Sequence, residues 1–150
     1  MPVLIESDTL DIGSTDITRN RRELMVAIRN ESFHFVKTFA RQDFQGLADW
    51  YKDSKAQAEE SLSENQWGPD AFKEIWETYR QEHEGPRFDR IGRDPKYIAA
   101  AAVEGDPDNW LVRQTLVDQD EHNDVHAKFR VNLPRCREAG RVYLEFLGFE

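Results

Sequence analysis

Two residues on either side of one turn, Asp118 and His126, form the pair in this chain best suited to moving a proton. A carboxylate beside an imidazole is a common acid–base combination near neutral pH. Asp118 closes one alternating stretch and His126 opens the next, so adjacent strands would bring them to the open end of a hairpin. A turn-stabilising contact uses the same two residues and is the commoner outcome. Between them Asp118, Asp120, His122 and Asp124 alternate, which offers oxygen and nitrogen atoms to a cation. The spacing does not fit a calcium loop. Counting Asp118 as the first position, Asn123 stands where glycine is required and Phe129 where a bidentate acid is required. The expectation is a solvated acidic turn, with no metal and no cofactor.

Other candidate groups are weaker. Arg113 and Gln114 are consecutive in a strand, so one of them faces inward; a buried Arg113 would need an acid, and Glu31 on the first helix is available. Cys136 is the single cysteine, so no internal disulfide can form and a reducing, cytoplasmic setting is expected. Arg135 and Arg137 beside it would lower its thiol pKa, but a reactive role is not expected. No Gly-x-x-x-x-Gly-Lys-Ser/Thr loop is present, which excludes a P-loop nucleotide hydrolase. Acidic residues outnumber basic ones, 29 to 20, for a net charge of −9. Such a chain repels a phosphate backbone on average, so direct nucleic-acid binding is not expected. The cluster Arg19, Arg21, Arg22 and Arg29 reads as a solvated helix face. No apolar run approaches the ~20 residues that span a bilayer. The first residues carry Glu6, Asp8 and Asp11 and do not read as a signal peptide.

The elements that would position these groups change character along the chain. Helical spacing runs from Asp16 to Glu82 and alternating spacing from Phe88 to the end. Residues 1–15 read as an N-terminal arm and 16–150 as a single α+β domain, its N-terminal helices packed on a curved, mostly antiparallel sheet. Asp16 or Asn20 is placed to cap the first helix; Asn20 with Glu23 three residues on resembles a capping box, and Leu24, Ile28, Phe35 and Phe39 follow on one helical face. Asp43 is placed to cap a second helix and Pro69 to begin a third, with Gly85-Pro86 closing the helical half. The segment 52–66 is polar and its conformation open. Strands are expected over Phe88 to Ile91, Tyr97 to Glu104, Trp110 to Asp118, Asp124 to Leu133 and Arg141 to Phe149, with turns at Glu104 to Asn109 and Pro134 to Gly140. The last strand carries Val142, Leu144 and Phe146 on one face and Tyr143, Leu147 and Phe149 on the other. A strand apolar on both faces is expected to be covered twice, once by helices and once by a partner subunit.

The stretch from Phe35 to Tyr51, with Ala40-Arg41-Gln42-Asp43 and then Leu47, Ala48 and Tyr51, resembles the opening of the nuclear transport factor 2-like (SnoaL-like) cone, a cystatin-like arrangement. That resemblance implies a cone whose interior would draw on His34, Trp50, Tyr51, Tyr97, Trp110, Asp118 and His126. A second resemblance rests on Trp110-Leu111-Val112-Arg113-Gln114, Asp118, Asp124, Leu133 and the stretch Tyr79, Glu82, His83. These are similar to a domain of unknown function appended to the C-terminus of some bacterial DEAD/DEAH-box RNA helicases. The expected function is a non-catalytic accessory domain that forms a homodimer or meets a protein partner. The alternative is a small-molecule-binding or isomerase/dehydratase-like cone using His126, Asp118 and Tyr51.

Overall fold

The computed structural model describes residues 20–56, 67–118 and 122–150. The arm 1–15, most of the polar 52–66 stretch, and Asp120 with its two neighbours lie outside the described residues.

Three helices precede the sheet: α1 (Arg21–Ala40), α2 (Phe44–Ala56) and α3 (Pro69–Arg80). The Glu23 N–H donates to Asn20 Oδ1 at 3.1 Å, which gives one of α1's otherwise orphaned first-turn donors an acceptor. Asp43 does the same for α2, accepting from the Gly46 N–H at 2.9 Å. Pro69 sits in the first turn of α3, where a missing N–H costs nothing. The buried stripe of α1 is Leu24, Ile28, Ser32, Phe35, Val36 and Phe39. The three helices and the caps at Asn20 and Asp43 match the expectation; α3, however, ends at Arg80, ahead of Gly85-Pro86, and α2 continues into the polar stretch as far as Ala56.

Four strands follow as an antiparallel meander in the order β1 (Ile98–Val103), β2 (Asp106–Leu116), β3 (Val125–Asn132) and β4 (Glu145–Phe149). The class is therefore α+β, as expected. Trp110, Val112, Gln114 and Leu116 of β2 alternate inward with Ala127, Phe129 and Val131 of β3. Phe35 lies at the centre of the core. Its ring meets Phe39, Trp50, Phe72, Phe129 and Phe146, so one side chain of α1 touches α2, α3, β3 and β4.

The second half departs from the expected pattern in four places. Phe88 to Ile91 is not a strand: the chain turns there, and the Asp89 carboxylate accepts from the Gly92 N–H at 3.2 Å. The turn expected over Glu104 to Asn109 is confined to Glu104 and Gly105, and Pro107 lies in β2 beside a register shift, one of the settings in which a strand tolerates proline. Pro134 to Gly140 is not a turn but most of a short helix, α4 (Leu133–Ala139). Asn132 caps it by accepting from the Arg135 N–H at 3.0 Å, and Gly140 ends it with φ 73°, a left-handed cap that glycine adopts freely. The last strand is shorter than expected, beginning at Glu145. It is also not apolar on two faces. A bulge between its pairings with Lys128 and Phe129, with Gly148 at φ 116°, breaks the alternation. Phe149 consequently turns back to the core, 5.3 Å from the Phe39 ring. Among the described residues, no helix is long and apolar enough to cross a membrane.

Candidate functional site

The densest group of ionisable side chains forms where the end of α3 meets the β2–β3 connection. α3 closes at Arg80, and the His83 N–H still donates to the Tyr79 carbonyl at 3.0 Å. That last turn stacks the His83 imidazole on the Tyr79 ring, 4.7 Å between centroids and 29° between planes. The Arg80 guanidinium donates to the His83 carbonyl at 3.0 Å and ties the turn down. From the other side, Pro86 forms a bridge with Asp118, and the Arg87 N–H donates to the Val117 carbonyl at 2.7 Å. These links seat Asp118 against His83.

Asp118 is fully buried and well oriented. Its two oxygens accept from the N–H groups of His122 at 3.0 Å and Asn123 at 2.8 Å. Asn123 has φ 51°, a left-handed conformation that Asn tolerates better than most residues. The turn-stabilising contact expected between Asp118 and His126 is not the one formed: Asp118 holds the turn through backbone N–H groups. Its histidine neighbour, however, is His83: Nδ1 lies 3.5 Å from Asp118 Oδ2, while Nε2 lies 3.2 Å from Oδ1 of the more exposed Asp124. The His122 ring is 6.0 Å from that of His83. Burial first, then the fields of Asp118 and Asp124, push the Tyr79 phenol far above its ordinary range, so it stays neutral. Its hydroxyl is buried with no hydrogen-bond partner among the described residues. Two sets of three ligand atoms come within 4.8 Å of one another here: His83, Asp118 and His122, and Glu82, His83 and Asp124.

The residues singled out from sequence are dispersed. His126 lies on the outer sheet face, its Nδ1 3.0 Å from Thr115 Oγ1, so the structure gives Asp118 and His126 different side-chain neighbours. Burial, then the Arg113 charge, lowers the His126 pKa. Tyr51 is buried at the edge of a cleft of ≈ 330 Å³ between α2 and the start of α3. His34 is exposed and lines a cleft of ≈ 680 Å³ with Arg29, Phe33, Lys37, Arg90 and Arg93. Trp110 is in the core beneath the Arg21 guanidinium, and Tyr97 gives its carbonyl to Gln114 at 3.3 Å. Of the two consecutive polar strand residues, Gln114 faces inward and accepts from Ser32 Oγ at 2.9 Å. Arg113 faces outward to Glu150 at 2.8 Å, so Glu31 is not its partner; Glu31 accepts from Trp50 Nε1 at 2.7 Å. Of the interface candidates, Tyr143 is half-buried under the Arg141 guanidinium, Leu147 is half-buried, and Phe149 is turned inward. Burial raises the Cys136 thiol pKa, outweighing the nearby arginine charge.

His83 is a site residue that its neighbourhood in the sequence, Tyr79 to His83, did not mark as one. The signal was the Tyr79–His83 spacing of one helical turn. Nothing local revealed that Asp118 would arrive from a distant strand.

A family model described as a domain of unknown function (DUF3516) matches residues 5–149. No curated protein and no solved structure matches the chain.

Proposed function

This chain belongs to that family of domains of unknown function, and we propose that it works as a non-catalytic interaction domain that pairs with a second copy of itself. The observation that carries the reading is β1. Its sequence, Ile98-Ala-Ala-Ala-Ala-Val103, has no charge and no proline, and among the described residues its only strand partner is β2. A strand edge presents N–H and C=O groups to any second strand, and proteins usually block such edges with charge, proline or a bulge; the register shift of β1 lies at its end, between Ala102 and Val103, and leaves Ile98 to Ala102 regularly paired on the β2 side. Ala99, Ala101 and the cross-strand Leu111 add an exposed apolar strip on the outer face beside it. Two antiparallel β1 strands related by a two-fold axis would satisfy both edges at once.

The filled interior supports the same reading. An isomerase-like cone needs a cavity lined by acid, base and tyrosine. Here the space between α1 and the sheet is occupied by the rings around Phe35. Tyr51, Asp118 and His126 sit in three different surroundings, which gives the enzymatic alternative less support. The resemblance to the nuclear transport factor 2-like cone belongs with this proposal, supported by Phe35 of α1 packing on Phe129 and Phe146 of the sheet. The resemblance to helicase-appended domains supplies the setting: an accessory module that brings copies or partners together and hydrolyses no nucleotide itself.

Sedimentation velocity tests the pairing. The native chain is expected to run as a dimer, and Ala101→Lys, a change at an exposed edge position, as a folded monomer. A native monomer at ~100 μM, well above the micromolar Kd that a modest interface reaches, would overturn the proposal. So would an Ala101→Lys dimer as tight as the native one.

A further inference from the structure

We propose that His83, Asp118 and His122 bind one divalent transition-metal ion of zinc type, with Asp124 orienting His83 from outside the coordination sphere. The argument rests on distances. Zinc bonds of about 2.0–2.2 Å at tetrahedral angles place ligand atoms about 3.3–3.5 Å apart. His83 Nδ1 and Asp118 Oδ2 are 3.5 Å apart, too long for a good N–H···O hydrogen bond and close to the edge of such a tetrahedron. Among the described residues, His83 Nδ1 is correspondingly a buried polar atom without a hydrogen-bond partner. Such an orphan costs free energy unless something fills the gap. A cation between Nδ1 and the carboxylate does so.

The surroundings match those of a metal-bound histidine. A ligating imidazole donates its second ring N–H to a carboxylate, which fixes the tautomer. Asp124 Oδ1 stands 3.2 Å from Nε2. Asp118 is held by two backbone N–H groups, and Tyr79 fixes the plane of the His83 ring by stacking. His122 completes the set from the exposed side, giving the ion access from solvent. The competing set of Glu82, His83 and Asp124 combines two exposed acids with a ring nitrogen that already has an acceptor. Three protein ligands leave one tetrahedral position to water or to a group from a partner.

Cobalt(II) is the probe, since its d–d absorption reports ligand geometry where zinc is silent. Chelator-treated protein is titrated with cobalt(II), followed by displacement with zinc. The expected result is one ion per chain, an intense visible band typical of low coordination number, and its loss on adding zinc. His122→Ala, a change at an exposed position, should weaken binding at least about tenfold while leaving the circular dichroism unchanged. His83→Gln should abolish the band; if that variant fails to fold, the His122→Ala comparison still decides. A weak, band-free uptake equal in native and His122→Ala protein is binding by scattered surface acids and would overturn the proposal. Monomeric protein that still gives the band separates this site from the β1 pairing.

Discussion

Glu145→Leu should unfold this protein at a much lower temperature, and adding Arg130→Met should restore most of the loss. Arg130 and Glu145 are direct cross-strand neighbours on β3 and β4, with Nε 3.1 Å from Oε1 and side-chain exposures of 5% and 3%. The Nε–H is not aimed at Oε1, so this particular contact is ionic rather than a straight hydrogen bond. Neither charge is screened by water, so no discount for solvent applies. Removing one partner takes the ion-pair contact from the other in low dielectric, at a cost of about 3–5 kcal/mol. For a chain of this size each kcal/mol shifts Tm by about 2–4 °C, so the single change should lower Tm by about 6–20 °C. Removing both charges leaves no buried ion at this pair, and the double variant should lie within about 1 kcal/mol of the native protein or above it. Urea melts followed by tryptophan fluorescence, at low and high salt, give all corners of the cycle. A buried pair should show the same coupling in both salts. A loss below about 1 kcal/mol for Glu145→Leu would mean that the pair behaves as a solvated surface bridge, and the reasoning from burial would fail.

Phe35→Ala deletes the ring that joins α1, α2, α3 and the sheet, and should cost about 3–5 kcal/mol in the same melts, with a cavity that a small aromatic ligand partly rescues. Asn20→Ala removes the α1 cap and should cost about 1 kcal/mol, read as a midpoint shift without a change in slope. His126 has its folded-state pKa depressed by burial and by Arg113. The unfolded chain therefore binds that proton more tightly, and stability should fall as pH drops through the ordinary value of 6.5 and level off below the depressed one. His126→Gln should flatten that part of the pH profile relative to the native protein; an unchanged slope would remove His126 as its source. Cys136 is buried with a raised thiol pKa, so a disulfide reagent should label it at the rate of unfolding rather than at the rate of a free thiol.

Local chemistry made part of this molecule readable from its residues. Asn20, Asp43 and Pro69 start helices because their side chains or rings satisfy backbone needs within one turn, and that is visible in a few consecutive letters. The alternation from Asp124 to Leu133 reveals β3 because strand side chains alternate by geometry alone. The Pro134 segment misled because proline marks both a turn and a first helical turn; Asn132 ahead of it and Gly140 behind it were the deciding caps. The sheet's bulge at Gly148 was not legible, since a one-residue slip changes the facing of Phe149 without changing composition.

The candidate site divides in the same way. That Tyr79 and His83 share a helical face follows from their spacing, and that Asp118 precedes an acidic turn is plain in the sequence. That His83 rather than His126 meets Asp118 was decided by the Pro86 bridge that docks the end of α3 on β2. Which of Arg113 and Gln114 turned inward was settled by register against Ser32 on α1. The sequence alone determined the class, the helix starts and the charge, because each depends on neighbours within a turn or on a sum over residues. Tertiary structure alone decided the pairings, because a contact between distant segments is fixed by how the whole core closes and not by either segment.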